Sequence, residues 1–369
     1  MKALFIANDP LIFDPTSAVR ARMRAYAKEI GELHVLSVAP QGAGQETDGE
    51  LILHTIQSGS IMRMVRMVRA ARKLVTQSSI EIVSAQDPFE HGLAALLATA
   101  WTPAKLHVQV HTDIGSRYFR RESSKNRVRL FIAPLVFFMT SGVRVVSERV
   151  KQAVIARYGR MVPMPTVIPI AVSSAIPPKA PLPGKPFMFS LIAVSRLAPE
   201  KRVEDILAAL VIVRRKYPET GLFIVGDGGE RETLVRRAHE LGLWEHVIFL
   251  GWRTDALALM QSAQAFVNTS AYEGYGLSIM EAALAGVPII TTDVGVIGDV
   301  LVAETDVLVV PVGEAYDLAA AIMRLIEKSD LGPTLAESAR KKAEAHVAMY
   351  QDQPKLVAAD LLATRDSRY

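Results

Sequence analysis

Eight prolines, Pro163, Pro165, Pro169, Pro177, Pro178, Pro181, Pro183 and Pro186, fall within 24 residues of this 369-residue chain. Proline fixes φ and offers no amide hydrogen, so this density excludes helix and central strand and describes an extended linker. At about 150 residues per domain, the length fits one domain on each side. The expected division is residues 1–170, a linker over 171–186, and a second domain over 187–345.

On both sides, short apolar runs rich in β-branched residues alternate with longer stretches of helical periodicity. Strands are expected at Ala3–Ala7, His34–Val38, Ile80–Ser84, His107–Val110 and Val143–Val146 before the linker. After it they are expected at Phe187–Val194, Leu222–Val225, Val247–Leu250, Ala265–Asn268, Val287–Thr291 and Val307–Val310, with helices such as Val203–Arg215 and Arg231–Leu241 between them. Continuous apolar strands alternating with helices predict α/β domains with parallel sheets covered on both faces. There is no internal repeat and no low-complexity tract.

Composition narrows the function. Half the residues are hydrophobic and 22% charged, which excludes intrinsic disorder. The absence of cysteine removes disulfides, thiolate metal sites, iron–sulfur clusters and cysteine nucleophiles together, and fits a reducing compartment. The run Ala3–Ala7 is cut by Asn8-Asp9-Pro10, too short for a signal peptide. The strongly apolar Leu130–Met139 contains Pro134 and falls short of the roughly 20 residues of a membrane span. The expectation is a soluble cytoplasmic protein, at most attached to a membrane surface. Up to Lys179 the chain has 23 Lys and Arg against 13 Asp and Glu, a net +10; the remainder has 19 against 25, a net −6. A basic half joined to an acidic half implies different partners for each.

Parallel sheets bind ligands beyond the carboxyl ends of their strands, so those positions hold the candidates. Arg196 and Lys201 follow Phe187–Val194 at the start of a helix, where two cations and free amides suit a diphosphate; a solvated turn is the plain alternative. Gly226-Asp227-Gly228-Gly229 follows the next strand and reads as a close backbone approach to a ligand or as an ordinary tight turn. Gly251-Trp252 ends another strand at the same edge. After Ala265–Asn268, Glu273 lies on a loop containing Gly274 and Gly276. The helix then opens near Gly276 or Leu277, and Glu281 lies on its second turn. Free amides of Gly276, Leu277 and Ser278 suit a phosphate, and a carboxylate on either side suits diols.

Together, Ser195-Arg196-Leu197 with Lys201, Gly226-Asp227-Gly228, Val247–Gly251, the Glu273/Glu281 pair and Ala285-Gly286-Val287-Pro288-Ile289-Ile290 resemble the retaining glycosyltransferases of family 4. Val108–Asp113, containing His111, and Val143–Ser147 followed later by Val167-Ile168-Pro169 extend the resemblance into the first half. It implies the GT-B fold: two Rossmann-like doubly wound parallel-sheet domains facing across a cleft. The first would bind the acceptor and the second the donor, with a C-terminal helix over 349–364 packing back onto the first. It further implies transfer of a hexose-type sugar from a nucleoside-diphosphate sugar to a glycan or lipid-linked acceptor, with retention and without metal or other cofactor. Arg196 and Lys201 would neutralise the departing diphosphate. Glu273 would hold sugar hydroxyls and Glu281 the ribose. Gly226 and the amides at Gly276, Leu277 and Ser278 would lie against the donor nucleotide, and His111 would hydrogen-bond the donor sugar. The departing phosphate would take the acceptor proton, so no dedicated protein base is implied.

Two places depart from the family pattern. The loop Asn8–Ala18 lacks the usual glycine pair, leaving Ser17 and Arg20 as substitute contacts, and Ile170-Ala171-Val172-Ser173 replaces Asn-Gly-Val-Asp. Two basic stretches stand apart. Ile61–Val75 predicts an amphipathic helix with Arg63, Arg66, Arg69 and Arg72 on one side. Arg117, Arg120, Arg121, Lys125, Arg127 and Arg129 precede the apolar Leu130–Met139. They read as a sheet-covering helix with a solvated face plus a charged loop, or as contacts to an anionic membrane surface. Nucleic acid is not expected, because aromatics are 7% of the chain and no recognised binding module is present. A dinucleotide dehydrogenase would need Gly-x-Gly-x-x-Gly after a first strand, which neither half has. A nucleotide-sugar epimerase of the same fold and a non-catalytic sugar-nucleotide-binding module remain as alternatives.

Overall fold

The computed structural model of the chain describes residues 1–39, 44–57, 62–184 and 187–367. Ile61, Lys185 and Pro186, expected in the basic helix and the linker, lie outside the described residues. The chain separates into two compact units, Met1–Pro169 with the segment from Asp352 on, and Ile170–Gln351.

The first unit contains strands β1 (Lys2–Ile6), β2 (Glu32–Ala39), β3 (Gln45–Asp48), β4 (Leu51–Gln57), β5 (Ile82–Ala85), β6 (Lys105–Val110), β7 (Gly142–Val145) and β8 (Thr166–Val167). They form one sheet in the order β3-β4-β2-β1-β5-β6-β7-β8. Its helices are α1 (Ala18–Ile30), α2 (Arg63–Gln77), α3 (Glu90–Thr99), α4 (Arg117–Glu122), α5 (Ser124–Met139) and α6 (Glu148–Tyr158). Every pairing is parallel except that of the edge strand β3 with β4, which is antiparallel. β3 reads Gln-Glu-Thr-Asp, so it has no apolar signal. A turn at Gly49 (φ +61°) folds it back, and Arg20 fixes it by ion pairs to Glu46 and Asp48 at 2.6 and 2.8 Å. The basic residues expected in a charged loop lie instead on α4 and α5, whose N-termini are capped by Ser116 and Ser123.

The second unit runs β9 (Phe189–Val194), α7 (Val203–Arg214), β10 (Thr220–Val225), α8 (Arg231–Glu240), β11 (Val247–Gly251), α9 (Ala256–Met260), β12 (Ala265–Asn268), α10 (Leu277–Leu284), β13 (Ile289–Thr292), β14 (Leu308–Val310), α11 (Ala315–Glu327) and α12 (Leu331–Met349). Its six strands are all parallel, in the order β11-β10-β9-β12-β13-β14. The order reverses direction at β9, so the loops after β9 and β12 flank a topological switch point. Leu191, Ile206, Leu210, Leu222, Ile224 and Ile322 are among the buried side chains between sheet and helices.

The last helix, α13 (Gln353–Arg365), returns to the first unit. Val357, Ala358 and Leu361 bury against Met23, Tyr26, Ala27 and Ile30 of α1. Gly142 makes room for it, since a Cβ there would meet Thr364 Oγ1 at 2.0 Å. Gln353 donates to Tyr26 Oη at 2.7 Å, and Asp360 lies 2.9 Å from His107 Nε2. No helix among the described residues is long and apolar enough to cross a membrane.

Candidate active site

In the second unit the strand-end loops are stitched together backbone to backbone. Ser195 N–H donates to Val225 O, Leu197 N–H to Asp227 O, Glu230 N–H to Leu197 O and Gly226 N–H to Gly251 O, all between 2.7 and 3.1 Å. Such proximity explains the glycines. Gly226 (φ +133°) and Gly228 (φ +158°) would put a Cβ 1.9 Å from Ser195 O and 2.2 Å from Leu197 O. The Gly-Asp-Gly segment is therefore first a packing requirement of this edge, which also leaves its backbone beside a cavity of about 450 Å³. Ser195, Arg196, Gly226, Asp227, Trp252 and Arg253 line that cavity.

The turn after β9 places the expected cations. Arg196 is largely exposed and meets Glu200 at 2.8 Å. Arg202 adopts a left-handed conformation (φ +49°) that costs a non-glycine residue about 1 kcal/mol. Thr269 Oγ1 lies 3.0 and 2.9 Å from the carbonyl oxygens of Lys201 and Arg202, and Ala271 N–H donates to Glu200 O at 2.8 Å. These bonds tie the turn to the loop after β12. As a result Lys201 Nζ contacts Glu273 Oε1 at 2.5 Å, with both side chains mostly buried. Ser270 Oγ also lies 2.8 Å from Glu273 Oε1 and 2.7 Å from Asn268 Oδ1, bracing the carboxylate from below.

Next to this pair α10 begins. Gly276 occupies its N-cap in the left-handed region (φ +85°), and no side chain caps the helix. The amides at Leu277 and Ser278 are thus left to an anion. Gly295 (φ +56°) lets the neighbouring loop approach, since a Cβ would lie 2.3 Å from Tyr275 O. Glu281 sits on the second turn of α10, where burial pushes its carboxyl up to about 7. The structure thus brings Arg196, Lys201, Gly226, Glu273, Gly276, Leu277, Ser278 and Glu281 to the strand-end face of one unit. Chemically, the face offers cations and helix amides for a phosphate, and two carboxylates for hydroxyls.

His111 belongs to the first unit, one residue beyond β6. Its Nε2 lies 3.1 Å from Gln109 Oε1, which also accepts from Arg144 Nη1 at 3.2 Å. Arginine only donates, so that acceptor is Gln109's oxygen and His111 donates from Nε2. Gln109 Nε2 then donates to Ser84 Oγ at 2.9 Å, and Ser84 Oγ lies 2.8 Å from His107 Nδ1. Burial, reinforced by the charges of Arg144 and Arg22, drives the His111 pKa down to about 3. At neutral pH the ring is uncharged, with Nδ1 as its acceptor.

The loop before α1 corrects one expectation. Arg20 is 1% exposed and its guanidinium is taken by Glu46, Asp48 and the Ile12 carbonyl. Ser17 caps α1 and donates to Leu11 O at 2.6 Å. Both side chains hold this glycine-free loop together.

Residues 175–344 match the family described as glycosyl transferases group 1. This segment is a group 1 glycosyltransferase domain. Glycogen synthase of Mycobacterium tuberculosis is 35% identical over 41% of this chain and 37% of its own length. The lipopolysaccharide core biosynthesis glycosyltransferase LpsD of Rhizobium meliloti is 33% identical over 51% and 50%. The chain thus spans about a third to a half of the curated relatives it matches. HepE of Anabaena, solved with UDP and glucose, superposes with a TM-score of 0.75 at 22% identity, covering 99% of this chain and 100% of that one. The two parallel-sheet α/β units have the GT-B fold.

Within the group 1 domain, Ser270 and Thr269 were invisible as site residues, because serine and threonine after a strand carry no distinguishing signal. In the first unit Gln109, Arg144 and Asp360 were equally silent. Alternation would have placed Gln109 on the same side of β6 as His111, and that was the one available clue.

Proposed function

We propose that this protein is a glycosyltransferase that moves a hexose-type sugar from a nucleoside-diphosphate sugar to an acceptor hydroxyl with retention, as in family 4. The observation that carries this reading is the Lys201–Glu273 pair beside the uncapped N-terminus of α10. In this reading the diphosphate lies on the Gly276, Leu277 and Ser278 amides, with Arg196 and Lys201 neutralising charge as the bond from C1 to phosphate breaks. These two side chains supply the charge that a metal ion would otherwise bring. Glu273 accepts donor-sugar hydroxyls, Glu281 accepts the ribose diol, and the backbone at Gly226 borders the nucleotide. The Trp252 indole in the adjoining cavity offers a stacking face for the base. His111, held neutral with its Nε2 hydrogen on Gln109, accepts a sugar hydroxyl at Nδ1. The acceptor oxygen bonds to C1 on the face the phosphate leaves, and its proton passes to that departing phosphate.

The UDP and glucose found with HepE support a nucleotide-sugar donor. The name of LpsD, a lipopolysaccharide core biosynthesis glycosyltransferase, supports a cell-envelope glycan or lipid-linked acceptor. The test is a thermal-shift and turnover screen with UDP-, GDP- and ADP-sugars. At least one donor should stabilise the protein and be hydrolysed or transferred; if none binds, the reading fails. Glu273→Ala should remove most turnover while leaving the free nucleotide bound, whereas Glu281→Ala should weaken the nucleotide itself. Equal binding losses from both would refute the division of roles.

A further inference from the structure

The first unit carries a cavity at the end of its sheet opposite to His111. It holds about 580 Å³ and lies where β5 and β6 begin, with Ser79, Glu81, Trp101, Thr102, Lys105 and Arg365 in its lining. Two turns shape it, and both depart from a rule that α8 and α10 keep. The second residue past a helix end commonly turns left-handed, and glycine is the usual choice there. After α8 and α10 that residue is Gly242 (φ +69°) and Gly286 (φ +68°). After α2 and α3 it is Ser79 (φ +52°) and Trp101 (φ +57°), and both line the cavity.

The fold itself gives no reason for a tryptophan here. Trp101 is 97% exposed, so it adds almost nothing to the core while its backbone carries strain. The end of α3 is completed by other groups. Arg72 donates to the Ala98 and Ala100 carbonyls, and Thr102 donates to Thr99 O from both its N–H and its hydroxyl. Around the indole the surface is polar and its charges are paired. Glu81 accepts from Arg365 Nη1 at 3.2 Å and from the Lys2 amide at 2.8 Å, and Arg365 also meets Asp366 at 2.7 Å. Charges engaged in this way leave little field for a free ion. Their remaining lone pairs and hydrogens, with the Ser79 hydroxyl, suit neutral hydroxyl groups.

We infer that this cavity is a carbohydrate-binding site, in which one pyranose of a neutral oligosaccharide stacks on Trp101 and bonds to Ser79, Glu81 and Arg365. A pyranose has an apolar C–H face for the indole and a rim of hydroxyls for the polar groups. The volume also falls within the range of about 300–1,000 Å³ usual for small-ligand sites. A nucleotide fits less well, since Arg72 and Arg365, the arginines its phosphates would seek, are already engaged. Because β6 separates the cavity from His111, the site holds glycan away from the reacting bond. The inference rests on the cavity and the backbone and stands apart from the transferase reading, so either can fail alone.

Saturation-transfer NMR and tryptophan fluorescence of the full chain with maltohexaose, cellohexaose, laminarihexaose and chitohexaose test it. At least one should bind with a Kd of about 1 mM or tighter. Trp101→Gly should weaken that binding about tenfold or more without lowering the melting temperature, because glycine suits the left-handed turn. Trp101→Phe keeps an aromatic face and should retain more of the affinity. Trp252→Ala, in the second unit, should leave it within about twofold. Failure of all four sugars to bind, or binding that Trp101→Gly does not weaken, would overturn the inference. So would a fluorescence response to UDP or inorganic phosphate, in place of the sugars, that Trp101→Gly removes. A dimer in light scattering that Trp101→Gly dissociates, with no sugar bound, would assign the tryptophan to a protein contact instead.

Discussion

The two α/β units build their strand-end faces by different means. In the second, loops after β9, β10 and β11 bond backbone to backbone, and glycine is required where they touch. In the first, the edge is held by side chains. Arg20 ties the loop after β1 to β3, and the chain His111, Gln109, Ser84, His107, Asp360 runs under β6 to α13. A backbone-built edge fails when a Cβ is added, while a side-chain-built edge fails when one polar partner is withdrawn.

The largest expected effect is on the chemistry of the second unit. Lys201→Ala removes the cation held against Glu273 and should lower turnover by roughly 10²–10³-fold. Steady-state rates beside nucleotide titrations would measure it; an unchanged kcat would detach this pair from the reaction. Gly226→Ala comes next, since the new Cβ would overlap Ser195 O at a φ that alanine resists. A loss of about 3 kcal/mol or more is expected in denaturant unfolding, and a loss under about 1 kcal/mol would show the backbone edge to be pliable.

In the first unit, Asp360→Ala leaves the buried His107 Nε2 without its partner and should cost about 1–3 kcal/mol. Melting by calorimetry would test whether α13 is held by this bond or by apolar burial alone. Gln109→Glu puts a carboxylate beside His111 and favours the charged ring, whose ordinary state here is neutral down to about pH 3. The acid limb of the turnover profile should move up toward neutrality while activity at pH 8 changes less. A profile that keeps its wild-type limb would remove His111 from the donor contacts.

The smallest effect concerns Glu281. Burial pushes its carboxyl up to about 7, so below that pH the group holds a proton. With Glu281 accepting the ribose diol as proposed, nucleotide affinity should rise a few-fold as pH increases through 7, with proton release on binding. Glu281→Gln should flatten both, which calorimetry in buffers of different ionisation enthalpy would detect.

Most of the second unit was legible because its determinants are local. Val203–Arg215 was expected and Val203–Arg214 is helical; the helix expected from Gly276 or Leu277 begins at Leu277. Apolar periodicity and glycines write such features into short windows. β3 escaped because its four residues are polar, and its place depends on Arg20 some 26 residues earlier. Arg117–Arg129 looked like a loop because charge hides helical periodicity. The bond from His107 to Asp360 spans 253 residues, and the contact of Lys201 with Glu273 spans 72.

The proline-dense segment and the strand–helix alternation by themselves determined two parallel α/β units, because φ restriction and hydrophobic period act along the chain. The residue types needed for an anion and two diols were also present in order. Tertiary structure alone decided which charges are occupied and which are offered. Arg20, expected as a contact for phosphate, is buried in ion pairs, whereas Arg120, Arg121 and Arg127 stay exposed beside an apolar face. The reason is physical: a charge is satisfied by whatever lies within a few ångströms of it, and only the folded chain sets those distances.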